Sequence, residues 1–106
     1  MRDLPKAIAT YLATDPGDTD TVAHCFTEDA TVRDEGKTHT GRAAIGAWRA
    51  KTATEYQYTS TPIAARSEDG RLIVTAHVEG NFPGSPVDLD YAFTLRNDLI
   101  HTLEIS

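Results

Sequence analysis

Hydrophobic and polar positions divide this chain into a helical first half and an extended second half. Leu4, Ile8, Tyr11 and Leu12 fall at helical spacing on one face. Asp3 is placed to cap that helix, with Leu4 or Pro5 as its first residue. "TDPGD" stops it, and Asp18 or Thr19 caps a second, short helix whose apolar face is Val22, Cys25 and Phe26, ending at "TED". A strand is expected over Ala30 to Asp34, turning at "EGK". Thr40 is the expected cap of a third helix from about Gly41 to Lys51, with Ile45 and Trp48 as its stripe and Ala44 and Thr52 flanking. Gly46 inside it costs up to about 1 kcal/mol relative to alanine, so packing must hold that helix.

After Ala53 the pattern becomes one of strands. "YQYTSTPIAARS" is β-branched and aromatic, and Pro62 marks a bulge or an edge. "EDG" reads as a hairpin turn. Along "RLIVTAHVEGNF", Leu72, Val74, Ala76 and Val78 share one face, with Ile73, Thr75, His77 and Glu79 on the other. "PGSP" is a loop. In "VDLDYAFTLR", Val87, Leu89, Tyr91, Phe93 and Leu95 alternate with Asp88, Asp90, Ala92, Thr94 and Arg96. "ND" turns the chain, and Leu99, His101, Leu103 and Ile105 line one face of the last strand. Helices first and an antiparallel meander last is the α+β pattern, with helices gathered on one face of a sheet. A strongly curved sheet around such helices leaves a pocket at its open end.

The 106 residues suffice for one domain, 1–106. A formal net charge of −6 argues against nucleic acid and anionic membrane as partners. The single cysteine, Cys25, cannot form an internal disulfide and reads as packing. No apolar run reaches transmembrane length, and the first residues lack the apolar core of a secretory leader, so a cytoplasmic location is expected.

Two residues could carry chemistry. Alternation puts Asp34 on the side of Val32, where an unpaired carboxylate is costly to ionise. Such a group suits a general base for proton transfer at carbon; the plainer reading is a fraying strand end, with Asp34 and Glu35 solvating a hairpin. Tyr11 lies on the apolar stripe of the first helix, and a buried phenol needs a hydrogen-bond partner. A substrate carbonyl as that partner would make Tyr11 an oxyanion donor; the plainer reading is a core tyrosine with its hydroxyl at the rim. Trp48 is a core anchor or a pocket wall. Tyr91, Phe93, Leu103 and Ile105, with Val32, Ala76 and Val78, face whatever cavity exists. His24, His39, His77 and His101 show no metal-ligand spacing, and His101 falls on the apolar side as a core histidine. Asp88 and Asp90 read as a solvated edge. No phosphate loop or nucleophile elbow is present.

The stretch from Thr10 to Ala50 resembles the first half of the nuclear transport factor 2-like superfamily, which includes SnoaL-like polyketide cyclases and ketosteroid isomerases. "F-T-E-D-A-T-V-R-D" resembles the family's "[FY]-x-x-D-A-x-[VW]-x-D", and "H-T-G-R-A-A-I" is similar to its "H-x-G-R-x-x-I". "FPGSPVDLDYAFTLRNDLIHTLEIS" is similar to its last two strands. The resemblance implies a cystatin-like, cone-shaped α+β barrel, with three N-terminal helices on a strongly curved, mainly antiparallel sheet. It puts Asp34 on the ketosteroid isomerase base and Tyr11 on the oxyanion-hole tyrosine. It puts Phe93 where that enzyme carries a second acid. It implies a small apolar or carbonyl-containing ligand, no cofactor, and a homodimer through the outer sheet face. The expected function is a SnoaL-like isomerase or cyclase; the alternative is a non-catalytic ligand-binding or dimerisation module of the same fold.

Overall fold

A computed structural model describes residues 4–14, 18–55 and 57–106. The first helix, α1 (Lys6–Ala13), starts at Pro5, whose carbonyl accepts the Ala9 N–H at 2.9 Å. The expected Asp3 cap and the Asp15–Gly17 stop lie outside the described residues. Asp18 caps α2 (Thr19–His24): one carboxylate oxygen accepts the Thr21 N–H at 3.2 Å and the other its hydroxyl at 2.7 Å.

α2 ends at His24, and Phe26 opens a strand, β1 (Phe26–Asp34), four residues before the expected start. Phe26 is fully buried in either reading, so its hydrophobicity did not distinguish a helix end from a strand start. After Glu35 and Gly36, both at positive φ (54° and 75°), comes β2 (Lys37–Thr40), which the pattern did not predict. Its four residues are all polar and it is a sheet edge, so no alternation reveals it. Gly41, not Thr40, begins α3 (Arg42–Glu55). Its φ is 89°, its N–H bonds the Ala30 carbonyl at 2.8 Å, and its own carbonyl accepts from Ile45 at 3.0 Å. α3 runs one turn past the expected Lys51.

The meander follows as β3 (Tyr58–Glu68), β4 (Arg71–Gly80), β5 (Val87–Arg96) and β6 (Leu99–Ile105). Asp69–Gly70 and Asn97–Asp98 form two-residue turns with φ positive at both positions, the geometry that matches the right-handed twist of paired strands. The sheet order is β2-β1-β6-β5-β4-β3, and every neighbouring pair is antiparallel except β1 with β6. The sheet is open rather than closed, with β2 and β3 as its edges. Pro62 sits at an irregularity in the β3–β4 register on the edge strand, where a missing N–H is tolerated.

The expected inner faces hold on β4, where Val74, Ala76 and Val78 are buried. They fail on β6. Thr94 pairs with Thr102 but Leu95 pairs with Ile100, so His101 is an extra residue, and the faces exchange there. Ile100 therefore enters the core in place of His101. His101 is half-buried, its Nδ1 3.0 Å from the Thr27 hydroxyl, and not the apolar-face histidine expected. The core joins Ile8 and Tyr11 of α1, Val22 of α2 and Ile45 of α3 to Phe26, Val32, Val74, Phe93, Ile100 and Leu103 of the sheet. Among the described residues no helix is long and apolar enough to cross a membrane.

Candidate functional site

The open end of the sheet, between α3, the β1–β2 turn and the β3–β4–β5 strands, holds a cavity of about 380 Å³. That is within the range of small-molecule sites. Trp48, Val78, Phe82, Leu89, Tyr91 and Ile105 supply its apolar wall. Asp34, Glu35, Lys37, His39, Lys51 and Glu55 bring charge or polarity to it.

Asp34 ends β1 at this cavity. Its Oδ2 accepts the indole N–H of Trp48 at 3.1 Å, its one hydrogen bond among the described residues. Trp48 is in turn held by His39, whose ring lies tilted 5.9 Å away. Asp34 is thus fixed by one oxygen, and Oδ1 is left for something else. The strand positions its carboxylate, and the first two turns of α3 position the tryptophan that orients it.

Tyr11 is 1 % exposed and does not line the cavity. Its ring meets Phe26 and Phe93 edge-on at 5.6 and 6.0 Å. Its hydroxyl is buried with no hydrogen-bond partner. Burial pushes its pKa far up, with the Arg49 charge pulling weakly the other way, so the phenol keeps its proton. An unpaired buried hydroxyl costs roughly 1–3 kcal/mol, so its environment is incomplete.

Of the other expected pocket residues, Trp48, Val78, Tyr91 and Ile105 line the cavity, while Val32, Ala76, Phe93 and Leu103 lie in the core and do not. Phe93 packs between Tyr11 and Tyr91, stacked on Tyr91 at 6.4 Å and 15°. Phe93 thus offers its neighbours only hydrocarbon.

Arg49 went unpredicted. It is 8 % exposed yet reaches the cavity. Its guanidinium lies over the rings of Tyr11, Tyr58 and Trp48 at 5.4, 5.8 and 5.9 Å. It donates through Nη1 to the Tyr58 hydroxyl, while Nε is buried without a partner. Among the described residues no carboxylate pairs with it. Burial works against its charge, the phenols of Tyr11, Tyr58 and Tyr91 favour it, and the balance raises its pKa. Each desolvated cation–π contact contributes up to about 2 kcal/mol, against several kcal/mol to desolvate the ion. A signal for it exists in the sequence: residues 45, 48, 49 and 52 are the i, i+3, i+4, i+7 positions of one helical stripe. Arg49 sits on that stripe, where a solvated charge is not expected. Burial also raises the Tyr91 phenol, Ser60 beside it acting in the opposite sense.

Residues 7–100 match the family model of the SnoaL-like domain. Among solved structures, a proposed polyketide cyclase from Sinorhizobium meliloti is 38 % identical with a TM-score of 0.92, covering 98 % of this chain and 96 % of that one. A Catenulispora acidiphila protein of ketosteroid isomerase-like fold, solved with trimethylamine, is 21 % identical at a TM-score of 0.82, covering 98 % and 86 %. A proposed polyketide cyclase from Xanthomonas campestris is 20 % identical at 0.77, covering 93 % and 85 %. At those lower identities the likeness concerns the fold. No curated relative matches the chain.

Proposed function

The chain belongs to the SnoaL-like domain family, within the nuclear transport factor 2-like superfamily, and from that premise we propose that it is a small-molecule enzyme of proton transfer. In this reading it is an isomerase or cyclase in which Asp34 removes a proton from a carbon next to a carbonyl. The observation that carries the reading is the Asp34 carboxylate at an apolar-walled cavity of about 380 Å³, oriented through one oxygen by Trp48. The second oxygen would take the proton. Fixing the base in advance removes an orientational cost from the reaction. The developing enolate oxygen needs a donor. The family resemblance nominates Tyr11, which stays protonated because burial raises its pKa. Since its hydroxyl is walled off, a substrate must displace part of the lining to reach it.

That same wall supports a second reading, a non-catalytic ligand-binding module. With Tyr11 sealed away and Phe93 in place of an acid, the site would hold a carbonyl compound without activating it. Exchange of α-protons with deuterated water, followed by proton NMR on a panel of small enones and β-diketones, separates the two. Wild-type protein is expected to accelerate exchange, and Asp34→Asn to lose roughly 100- to 10,000-fold of that acceleration. Equal rates with unchanged thermal unfolding would remove Asp34 from the mechanism.

A further inference from the structure

We propose that the cavity takes a small carboxylate-bearing molecule, its carboxylate paired with the Arg49 guanidinium and its body against Trp48, Leu89, Tyr91 and Ile105. This rests on the cavity being the ligand site, and not on Asp34 being a base.

Among the described residues Arg49 lacks a counter-ion. A guanidinium stays charged at any pH at which the protein folds, and this one is 8 % exposed. Arg66 and Arg96, which water can solvate, both have carboxylate partners: Glu68 and Asp90 for the first, Asp29 for the second. Arg49, which water scarcely reaches, has none among the described residues. It donates one Nη1–H to the Tyr58 hydroxyl, and its Nε is buried and unpaired.

Ring faces of Tyr11, Tyr58 and Trp48, all within 5.9 Å of the guanidinium carbon, pin the planar group in place. A guanidinium held in one orientation loses little freedom on pairing, and its parallel donors match the two oxygens of a carboxylate. Aromatic contacts without a counter-ion leave the charge in need of an anion, and the cavity is the open route to it.

The charge of the cavity lining points the same way. Lys37, Arg49 and Lys51 balance Asp34, Glu35 and Glu55 there, whereas the chain as a whole carries −6. Glu35, Lys37, Lys51 and Glu55 are exposed, and Lys51 is engaged by Glu55 at 3.7 Å. Arg49 is therefore the buried cation and Asp34 the carboxylate fixed by Trp48. A bound carboxylate is drawn to the first and repelled by the second, which sets its direction: anion toward Arg49, the opposite part of the ligand toward Asp34.

The test compares trans-cinnamate with cinnamamide, two probes alike in shape and different in charge, by isothermal titration on the full chain. Wild-type protein is expected to bind cinnamate at least tenfold more tightly. Arg49→Met abolishes that preference, Arg49→Lys keeps part of it, and Asp34→Asn keeps or increases it whether or not that variant has lost proton exchange. The two readings therefore fail separately. Absence of saturable cinnamate binding by wild type, equal affinity for the amide, or retention of the preference in Arg49→Met would overturn the proposal. If Arg49→Met does not fold, the Arg49 Nε–H resonance of wild-type protein replaces it. That resonance moves with cinnamate and not with cinnamamide; an unmoved resonance at saturating cinnamate overturns the assignment.

Discussion

Arg96 and Arg49 carry the same charge on the same sheet-and-helix frame, in opposite surroundings. Arg96, at the end of β5, is half-exposed and paired with Asp29. Arg66 on β3 is likewise exposed and engaged by Glu68 and Asp90, and Asp90 also accepts the Thr75 hydroxyl at 2.6 Å. These polar groups satisfy one another on faces that water already solvates. At the cavity end the pattern reverses. Arg49 and Tyr11 are buried, and Arg49 Nε and the Tyr11 hydroxyl have no partner. The difference teaches where the fold tolerates incomplete bonding. Unsatisfied buried groups are costly, and of these two Arg49 reaches the cavity, where a ligand could complete it.

The comparison breaks most severely at Gly80. A Cβ on this residue would lie 2.5 Å from the Tyr58 Cβ and also strike the Gln57 carbonyl. Both strand ends meet at the cavity there, so relief requires backbone movement. Gly80→Ala is expected to destabilise by roughly 1–3 kcal/mol, measured by urea unfolding, and to abolish cinnamate binding. An unaffected midpoint would mean that the β3–β4 end is not tightly fixed.

Arg49→Met sharpens the contrast. Replacing a buried ion by an apolar side chain of similar length is often neutral or stabilising. The variant should therefore unfold at an unchanged midpoint, or gain up to about 2 kcal/mol, while losing its carboxylate preference. A large loss of stability would instead make Arg49 a structural cation. Gly46→Ala serves as the reference away from the cavity. Its Cβ would rest 3.8 Å from the Thr19 Cβ, an ordinary contact, so the helix-propensity gain of about 0.5–1 kcal/mol should appear in full. A decrease would show that α2 and α3 pack too tightly for a methyl group.

The smallest effect belongs to the exposed ion pairs. Thr75 holds the Asp90 carboxyl below its ordinary pKa, assisted by Arg66. At Asp29 burial acts upward, but the bond to Arg96 prevails and lowers it. Folded values below unfolded ones mean that their stabilisation is present above the ordinary carboxylate pKa of about 3.9 and disappears as pH falls through the lowered values. Urea midpoints between pH 6 and 2.5 should be flat at first and decline only below about pH 4. A decline beginning near pH 6 would contradict this assignment to the two carboxylates.

Much of the fold was legible because it follows from short-range pattern. Ile8 and Tyr11 announce α1, although it begins at Lys6 and not at Leu4 or Pro5. Asp18 announces the start of α2, and alternation gives the inner faces of β4 and of β5 as far as Phe93, but not at Leu95, which is exposed. The hairpin turns are legible from their glycines, aspartates and asparagine. What stayed hidden depends on insertions or on distant partners. Parity along β6 cannot register the extra His101, so it sent Leu99 inward instead of Ile100. All-polar β2 has no apolar face to count. At the site, Asp34 and Trp48 were visible separately, but their hydrogen bond needs the α3 crossing. Arg49 was concealed by its charge, since the rings that surround it come from α1, α3 and β3, and no local pattern brings those together.

A crystal structure of the wild-type protein with trans-cinnamate tests the account most directly. It should place the carboxylate oxygens about 2.7–2.9 Å from the Arg49 guanidinium, with the phenyl ring toward Asp34 and Trp48. A carboxylate bound at Lys37 or Lys51, or a ring buried toward Arg49 with the anion facing water, would contradict it.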